Sequence, residues 1–347
     1  MKRPLLRVLL LVAAAALSGG ATAQSGKCRL LKVVDWPVRV AGNHIVVEGA
    51  INSRTVGIIL DTGAQVSLIL RSAAVRLDLP KREAPGRRIF GAGGESSAEI
   101  ATVDDFKLGT VSINDVKFYV AGEGFTGGGD VILGEDFLRR FDVEFDLANR
   151  TVRLFQPKDC EGVSLAYWTR DAAGEVEIEA IDENRPRISL TVKLNGRPIE
   201  AFLDSGAATS VLSTQDAAAA GVTPDSPGVA AGPSAQGIGA KSMPLWSGPF
   251  ASFAIGNESI ADVRIRFADL FKDAIYSETG SHVSRRTAPT QPMLLGADFL
   301  QSHRTLVSHS QRRLYFTYVG GPAFMAEEAP RPAARQDGNS AATSGGR

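Results

Sequence analysis

Cysteine and histidine are scarce in this chain, two and four among 347 residues. Cys28 and Cys160 stand too far apart for a redox Cys-x-x-Cys or a zinc knuckle. His44, His282, His303 and His309 show no metal-ligand spacing, so surface or turn roles are expected for them and no metal site is predicted. An excess of either charge is also missing. The 38 basic and 38 acidic side chains cancel, and no basic block stands out, which argues against nucleic acid as a partner. Nor is there a long hydrophobic run: Val8 to Leu17 is about half the 20 or so residues that a bilayer span needs.

That short run sits in a recognisable setting. Lys2, Arg3 and Arg7 precede it and Ala21-Thr22-Ala23 follows, so residues 1–23 read as a signal peptide cut after Ala23, with an uncleaved anchor as the alternative. No Cys follows the run at the cleavage site, which removes the lipoprotein reading. A secreted or periplasmic location is expected, with no stable membrane span after cleavage. In an oxidising compartment, Cys28 and Cys160 either close a disulfide that pins the N-terminal strand to the end of the first half or stay two free thiols.

What is present is a sentence written twice. With 44% hydrophobic residues, the chain is long enough for two lobes with cores of their own. Val56-Gly57-Ile58-Ile59-Leu60 runs into Asp61-Thr62-Gly63-Ala64, and Ala201-Phe202-Leu203 runs into Asp204-Ser205-Gly206-Ala207. A shift of 143 residues superposes the turns and also carries Ile51, Asn52, Arg54 and Ser67 onto Leu194, Asn195, Arg197 and Ser210. Downstream, Val131-Ile132-Leu133-Gly134-Glu135-Asp136-Phe137-Leu138 is echoed by Met293-Leu294-Leu295-Gly296-Ala297-Asp298-Phe299-Leu300 at a shift of 162. The second copy therefore carries 19 extra residues, for which the polar stretch Tyr276 to Gln291 is the expected place.

These residues carry a resemblance. The Asp-Thr-Gly-Ala and Asp-Ser-Gly-Ala turns, followed by Leu133-Gly134 and Leu295-Gly296, resemble aspartic proteases of the retropepsin-like kind, over about Val38 to Leu154 and Ile181 to Phe316. The resemblance implies an all-β fold: two tandem β-barrel lobes in the pseudo-two-fold arrangement of pepsin-like enzymes, with the active site at the lobe interface. The divisions expected are a lobe over 24–157, a connection over 158–174, a lobe over 175–324 and a disordered tail over 325–347. An internal pair of lobes implies an active monomer, a peptide or protein substrate, and no cofactor.

Local patterns agree with a β reading. Ile188 to Leu194 alternates apolar and polar residues, Asn195-Gly196 is a two-residue hairpin turn, and Ile199 to Leu203 is the return strand. Short Ala-rich stretches, Ser72 to Leu77 and Thr214 to Ala220, suit one or two helical turns. Val143 to Phe145 with Thr151 to Phe155, and Thr305 to Val307 with Leu314 to Tyr318, are expected to close the two lobes. Asp136 and Asp298 are expected to be helix N-caps or turn residues rather than chemical groups.

Two carboxylates brought within about 4 Å repel by about 4 kcal/mol at an effective dielectric near 20, equivalent to about three pK units. Such a pair holds one proton over a broad pH range and offers an acid and a base together. Asp61 and Asp204 are the expected catalytic residues. By resemblance, Thr62 and Ser205 lock the two turns together, Gly63 and Gly206 let backbone N–H groups reach the carboxylates, and Gly91, Gly93, Gly94, Gly237 and Gly239 belong to flap tips that cover a bound peptide. The other reading of those glycines is a plain hairpin tip. Ala64 and Ala207 stand where pepsin-like enzymes place a hydroxyl, so activity is expected at mildly acidic to neutral pH. A non-catalytic peptide-binding module of the same fold is the competing expectation.

Overall fold

The computed structural model describes residues 28–91, 93–123, 128–180, 186–235, 237–239, 242–269 and 293–324. Residues 1–23, the stretch Tyr276 to Gln291, His282 and the tail from Met325 lie outside them. The first half forms β1 (Arg29–Ala41), β2 (His44–Ile51), β3 (Arg54–Leu60), β4 (Leu68–Ile69), β5 (Lys81–Gly91), β6 (Gly94–Leu108), β7 (Val111–Val120), β8 (Val131–Leu133), β9 (Asp142–Asp146) and β10 (Thr151–Lys158). The second forms β11 (Gly174–Glu177), β12 (Ser189–Leu194), β13 (Arg197–Leu203), β14 (Val211–Ser213), β15 (Ala230–Ala235), β16 (Met243–Ile255), β17 (Glu258–Ala268), β18 (Met293–Leu295), β19 (His303–Ser308) and β20 (Arg313–Tyr318). Four short helices interrupt them: α1 (Arg71–Arg76), α2 (Glu135–Leu138), α3 (Thr214–Ala219) and α4 (Ala297–Ser302).

The hairpin that ends on each aspartate starts from a turn of unusual backbone. Asn195 and Gly196 have φ of 49° and 77°, both left-handed, as a two-residue turn matched to the strand twist requires. In the first half the same places are held by Asn52 and Ser53, with φ of 48° and 63°. The turn sets the register, so Ile51, Val56, Ile58 and Leu60 all face the core and are essentially inaccessible to solvent. Each half then closes on itself. The cycle β2-β3-β8-β4-β7-β6 returns to β2, and β12-β13-β18-β14-β17-β16 returns to β12, giving two six-stranded barrels of the same strand order. Phe106 and Phe253 are buried in the two fillings.

The strands expected to close each lobe do something else. β9 pairs with β10 and β10 with β1, while β19 pairs with β20 and β20 with β11; β9 and β19 then pair with each other. The result is a third, six-stranded surface shared by both halves, in the order β11-β20-β19-β9-β10-β1. At its seam Thr305 faces Phe145, Leu306 faces Glu144 and Val307 faces Val143. Since the shift of 162 carries Glu144 onto Leu306, the pseudo-two-fold axis passes through that pair. β1 is long because it serves two sheets: Arg29 to Pro37 pairs with β10, and Val38 to Ala41 with β2.

Residues between β10 and β11 pack onto this seam. Cys160, Leu165 and Ala166 are buried with Phe155, Leu306 and Tyr315, and a disulfide joins Cys160 to Cys28 at the head of β1. The pairings also redistribute the insertion. Tyr119 lies beside Leu68 and Arg266 beside Val211, a shift of 147, so four of the extra residues precede β17 and fifteen fall between β17 and β18. Not all 19 therefore belong to the stretch around Tyr276 to Gln291.

Candidate active site

Asp61 and Asp204 sit just past the ends of β3 and β13, and the chain fixes both in the same way. β3 lies parallel to β8, and β13 parallel to β18. The Asp61 N–H donates to the Leu133 carbonyl at 3.0 Å and the Asp204 N–H to the Leu295 carbonyl at 2.9 Å. Farther on, Glu135 N–H reaches the Ala64 carbonyl and Ala297 N–H the Ala207 carbonyl, each at 2.8 Å. Each turn is thereby pinned at both ends by the strand and helix that follow the second motif.

A second bracket lies behind each turn. Ser67 donates through N–H and hydroxyl to Asp136, and Ser210 does the same to Asp298, with hydroxyl distances of 2.6 Å in both. The Gly134 and Gly296 N–H groups donate back to those serine oxygens at 3.0 and 2.9 Å. Asp136 and Asp298 are thus structural, but not as N-caps: Gly134 and Gly296 hold the cap positions, without a side-chain cap bond.

The two turns grip one another. Thr62 Oγ1 donates to the Leu203 carbonyl at 2.8 Å and accepts from Ser205 N–H at 3.0 Å; Ser205 Oγ donates to the Leu60 carbonyl at 2.8 Å and accepts from Thr62 N–H at 3.0 Å. Both hydroxyl residues are buried. Each carboxylate receives two backbone donors on one oxygen. Asp61 Oδ1 accepts from Gly63 and Ala64, and Asp204 Oδ1 from Gly206 and Ala207, all at 2.9 to 3.0 Å. The two carboxyl groups approach closely enough for each to bear on the other's titration. Gly63 and Gly206 are needed for that approach: a Cβ on either would collide with the carboxyl group of the opposite aspartate.

Electrostatics follow from this geometry. Burial, then the charge of Asp204, push Asp61 well above the usual carboxylate range against the pull of its two N–H donors. Burial also raises Asp204, but its own N–H donors, the neighbouring Asp61 and the nearby His44 restrain it. The pair therefore titrates as a unit and shares one proton over a range of pH.

The segments that carry Gly91, Gly93 and Gly94 on one side and Gly237 and Gly239 on the other meet across the lobe boundary. In the β5–β6 hairpin Gly91 pairs with Gly94. Gly93 N–H donates to the carbonyl of Ile238, between Gly237 and Gly239, at 2.9 Å. The tips pack so closely that a Cβ on Gly91 would strike Ile238, and one on Gly239 would strike Gly93. Ile238 itself reaches over to Gly122 in the first lobe.

The histidines depart from a surface role. His303 is wholly buried, stacked on Phe299 at 4.1 Å and bonded to Glu258 at 2.9 Å. His309 bonds to Glu135 at 3.1 Å and to the Phe141 carbonyl at 2.7 Å, both in the other lobe. His44 follows the β1–β2 turn and its Nδ1 lies 3.0 Å from the Gly206 carbonyl, beside the dyad. Nothing near His44 in the sequence links it to the opposite turn. Among the described residues no cluster of side chains could hold a metal ion.

Comparison with known proteins places the chain. A family model described as aspartyl protease matches residues 47–137 and 190–299, which include both aspartate turns, and the chain belongs to that family. The fold is also similar to that of an aspartic proteinase from Irpex lacteus, at 12% identity and a TM-score of 0.49, over 82% of this chain and 97% of that one. No curated protein matches the sequence.

Proposed function

We propose that the protein is an exported aspartic endopeptidase that hydrolyses peptide bonds of extended polypeptide segments through a water activated by Asp61 and Asp204. One observation carries this reading: two adjacent carboxyl groups, each held by two backbone donors, at the contact of two interlocked turns. The ionised member takes a proton from a water between them while the protonated member polarises the scissile carbonyl. The tetrahedral intermediate then collapses as the roles exchange and the leaving amine is protonated, with no covalent enzyme adduct. The interlocked turns supply preorganisation, since neither carboxylate can rotate away without breaking its two backbone hydrogen bonds.

Export is supported by the charged, apolar and small-residue order of residues 1–23 and by the disulfide between Cys28 and Cys160, a bond that oxidising compartments sustain. We propose a monomer, because one chain supplies both turns. The working range is mildly acidic to neutral pH, in keeping with carboxyl groups raised by burial and lacking a neighbouring hydroxyl. Peptide-library cleavage read by mass spectrometry from about pH 3 to 8 tests the proposal. Cleavage with a maximum above about pH 4 is expected. Retention of peptides on the immobilised protein without cleavage at any pH would instead identify a binding module.

A further inference from the structure

The two aspartate turns are bonded so alike that their own geometry does not divide the acid and base roles. The division has to come from what lies beside them. His44 is the side chain that crosses from the first lobe to the second turn: its Nδ1 stands 3.0 Å from the carbonyl of Gly206, whose N–H donates to Asp204 Oδ1 at 3.0 Å. A carbonyl only accepts, so Nδ1 carries the proton in this contact. The shift of 143 carries His44 to Arg187, whose guanidinium lies 4.9 Å from the Phe202 ring of its own lobe. A titratable ring thus flanks the Asp204 turn, and a residue that stays charged takes its place in the other copy. The other described histidines, His303 and His309, bond elsewhere.

We propose that His44 is a positioning residue of the reaction: by holding the Gly206 carbonyl and setting its ring beside Asp204, it makes Asp204 the ionised member of the dyad and Asp61 the proton holder. The charge of Asp204 bears on the ring. Burial lowers the pKa of His44, and the Gly206 bond and Asp204 oppose that shift. His44 therefore gains its charge on the acid side of neutrality, where it favours the Asp204 carboxylate and delays protonation of the base. The inference rests on the peptidase reading for its kinetic consequences, and on the His44–Gly206 contact with the ring's charge beside Asp204 for the proton's place.

Two measurements test it, and they fail separately. In peptide hydrolysis, His44→Ala lowers kcat by about tenfold to a hundredfold through a displaced turn, with KM little changed. His44→Asn keeps a donor near the place of Nδ1 and restores most of kcat. Both variants lose the cation, so the acid limb of the pH profile moves to higher pH by about half a unit. Unchanged limbs in both, or an effect confined to KM, would overturn the proposal. Carboxyl-carbon NMR of labelled aspartates needs no turnover. It should show Asp204 with the carboxylate shift in the singly protonated state, and a smaller difference between the two aspartates in His44→Asn. A carboxylate signal on Asp61, or identical titrations in wild type and variant, overturns the assignment. Absence of peptide cleavage by the wild type would count against the peptidase reading alone.

Discussion

At the dyad the two lobes are copies; at the seam they are complements. Thr62 and Ser205 exchange the same four bonds, and Ser67–Asp136 and Ser210–Asp298 repeat one bracket with closely similar distances. Those distances have stayed alike because each turn needs the other in the same shape. On β9 and β19 the opposite holds. Asp142, Glu144 and Asp146 are buried in the first copy, while the shift of 162 puts Arg304, Leu306 and Ser308 in their places. Glu144 accepts from Arg304 at 2.7 Å and from Tyr167 at 2.8 Å and pairs with Arg153 at 3.1 Å; Asp142 accepts from Ser308 at 2.8 Å.

The axis explains this difference. It runs through Glu144 and Leu306, so a dimer of two first lobes would set one buried Glu144 against another, a costly like-charge contact. Joining the halves in one chain lets the positions on the axis diverge. The same division appears beside the seam. His309 and Glu135 bridge the lobes on one side; the shift carries them to the region of Leu147 and Ala297, where α4 packs against the turn Leu147–Asn149 without an ion pair between those two residues.

That one-sided bridge offers the largest expected effect. Replacing His309 by Leu leaves Glu135 buried without its charged partner and should cost about 3–5 kcal/mol. The double change His309→Leu with Glu135→Ala copies the apolar mirror pair and should recover most of the loss. The bridge also has a pH signature. Burial opposes the charged ring, but Glu135, the Phe141 carbonyl and Asp142 outweigh it and hold the His309 pKa above its ordinary value. Its contribution is complete below the unfolded pKa of about 6.5 and fades as pH rises through the higher folded value. Thermal melting across that range should fall with pH in the wild type and lose this component in the double variant.

The grip between the turns tests the copied part. Thr62→Val and Ser205→Ala each leave a buried carbonyl and a buried N–H without partners, for about 2–4 kcal/mol. Denaturation should show losses of similar size in the two variants, because the bonds removed are equivalent. A much smaller loss in one would mean that the lobes do not share the grip evenly. The smallest effect belongs to the hairpin tips. Ser53 adopts a left-handed backbone where the other copy has Gly196, so Ser53→Gly should stabilise by up to about 1 kcal/mol in chemical denaturation.

Much of the dyad was legible because it is local. A short strand, an Asp-Thr/Ser-Gly turn and a Leu-Gly landmark can each be read from neighbouring residues, and the repeat set them in order. The Asn195-Gly196 turn and the positions of α1 and α3 were legible for the same reason. The seam was not. Val143 to Phe145 looks like the end of a lobe, and nothing within ten residues shows that Glu144 will meet Arg304, 160 positions away. Alternating acids along β9 even suggest a solvated face, when in fact ion pairs and hydroxyls from the other copy make their burial possible. His303, buried on Phe299, was misread, and the partners of His44 and His309 in the opposite lobe were not legible for the same reason.

The central claim is that two unequal copies in one chain build one dyad, and hydrolysis of a peptide substrate by Asp61→Asn, by Asp204→Asn and by an equimolar mixture of the two tests it most directly. Each variant alone should lose activity by at least about a hundredfold, and the mixture should stay as inactive as its components. Activity regained on mixing would show that the aspartates pair between chains, and a wild-type rate in either single variant would show that the two do not act as a unit.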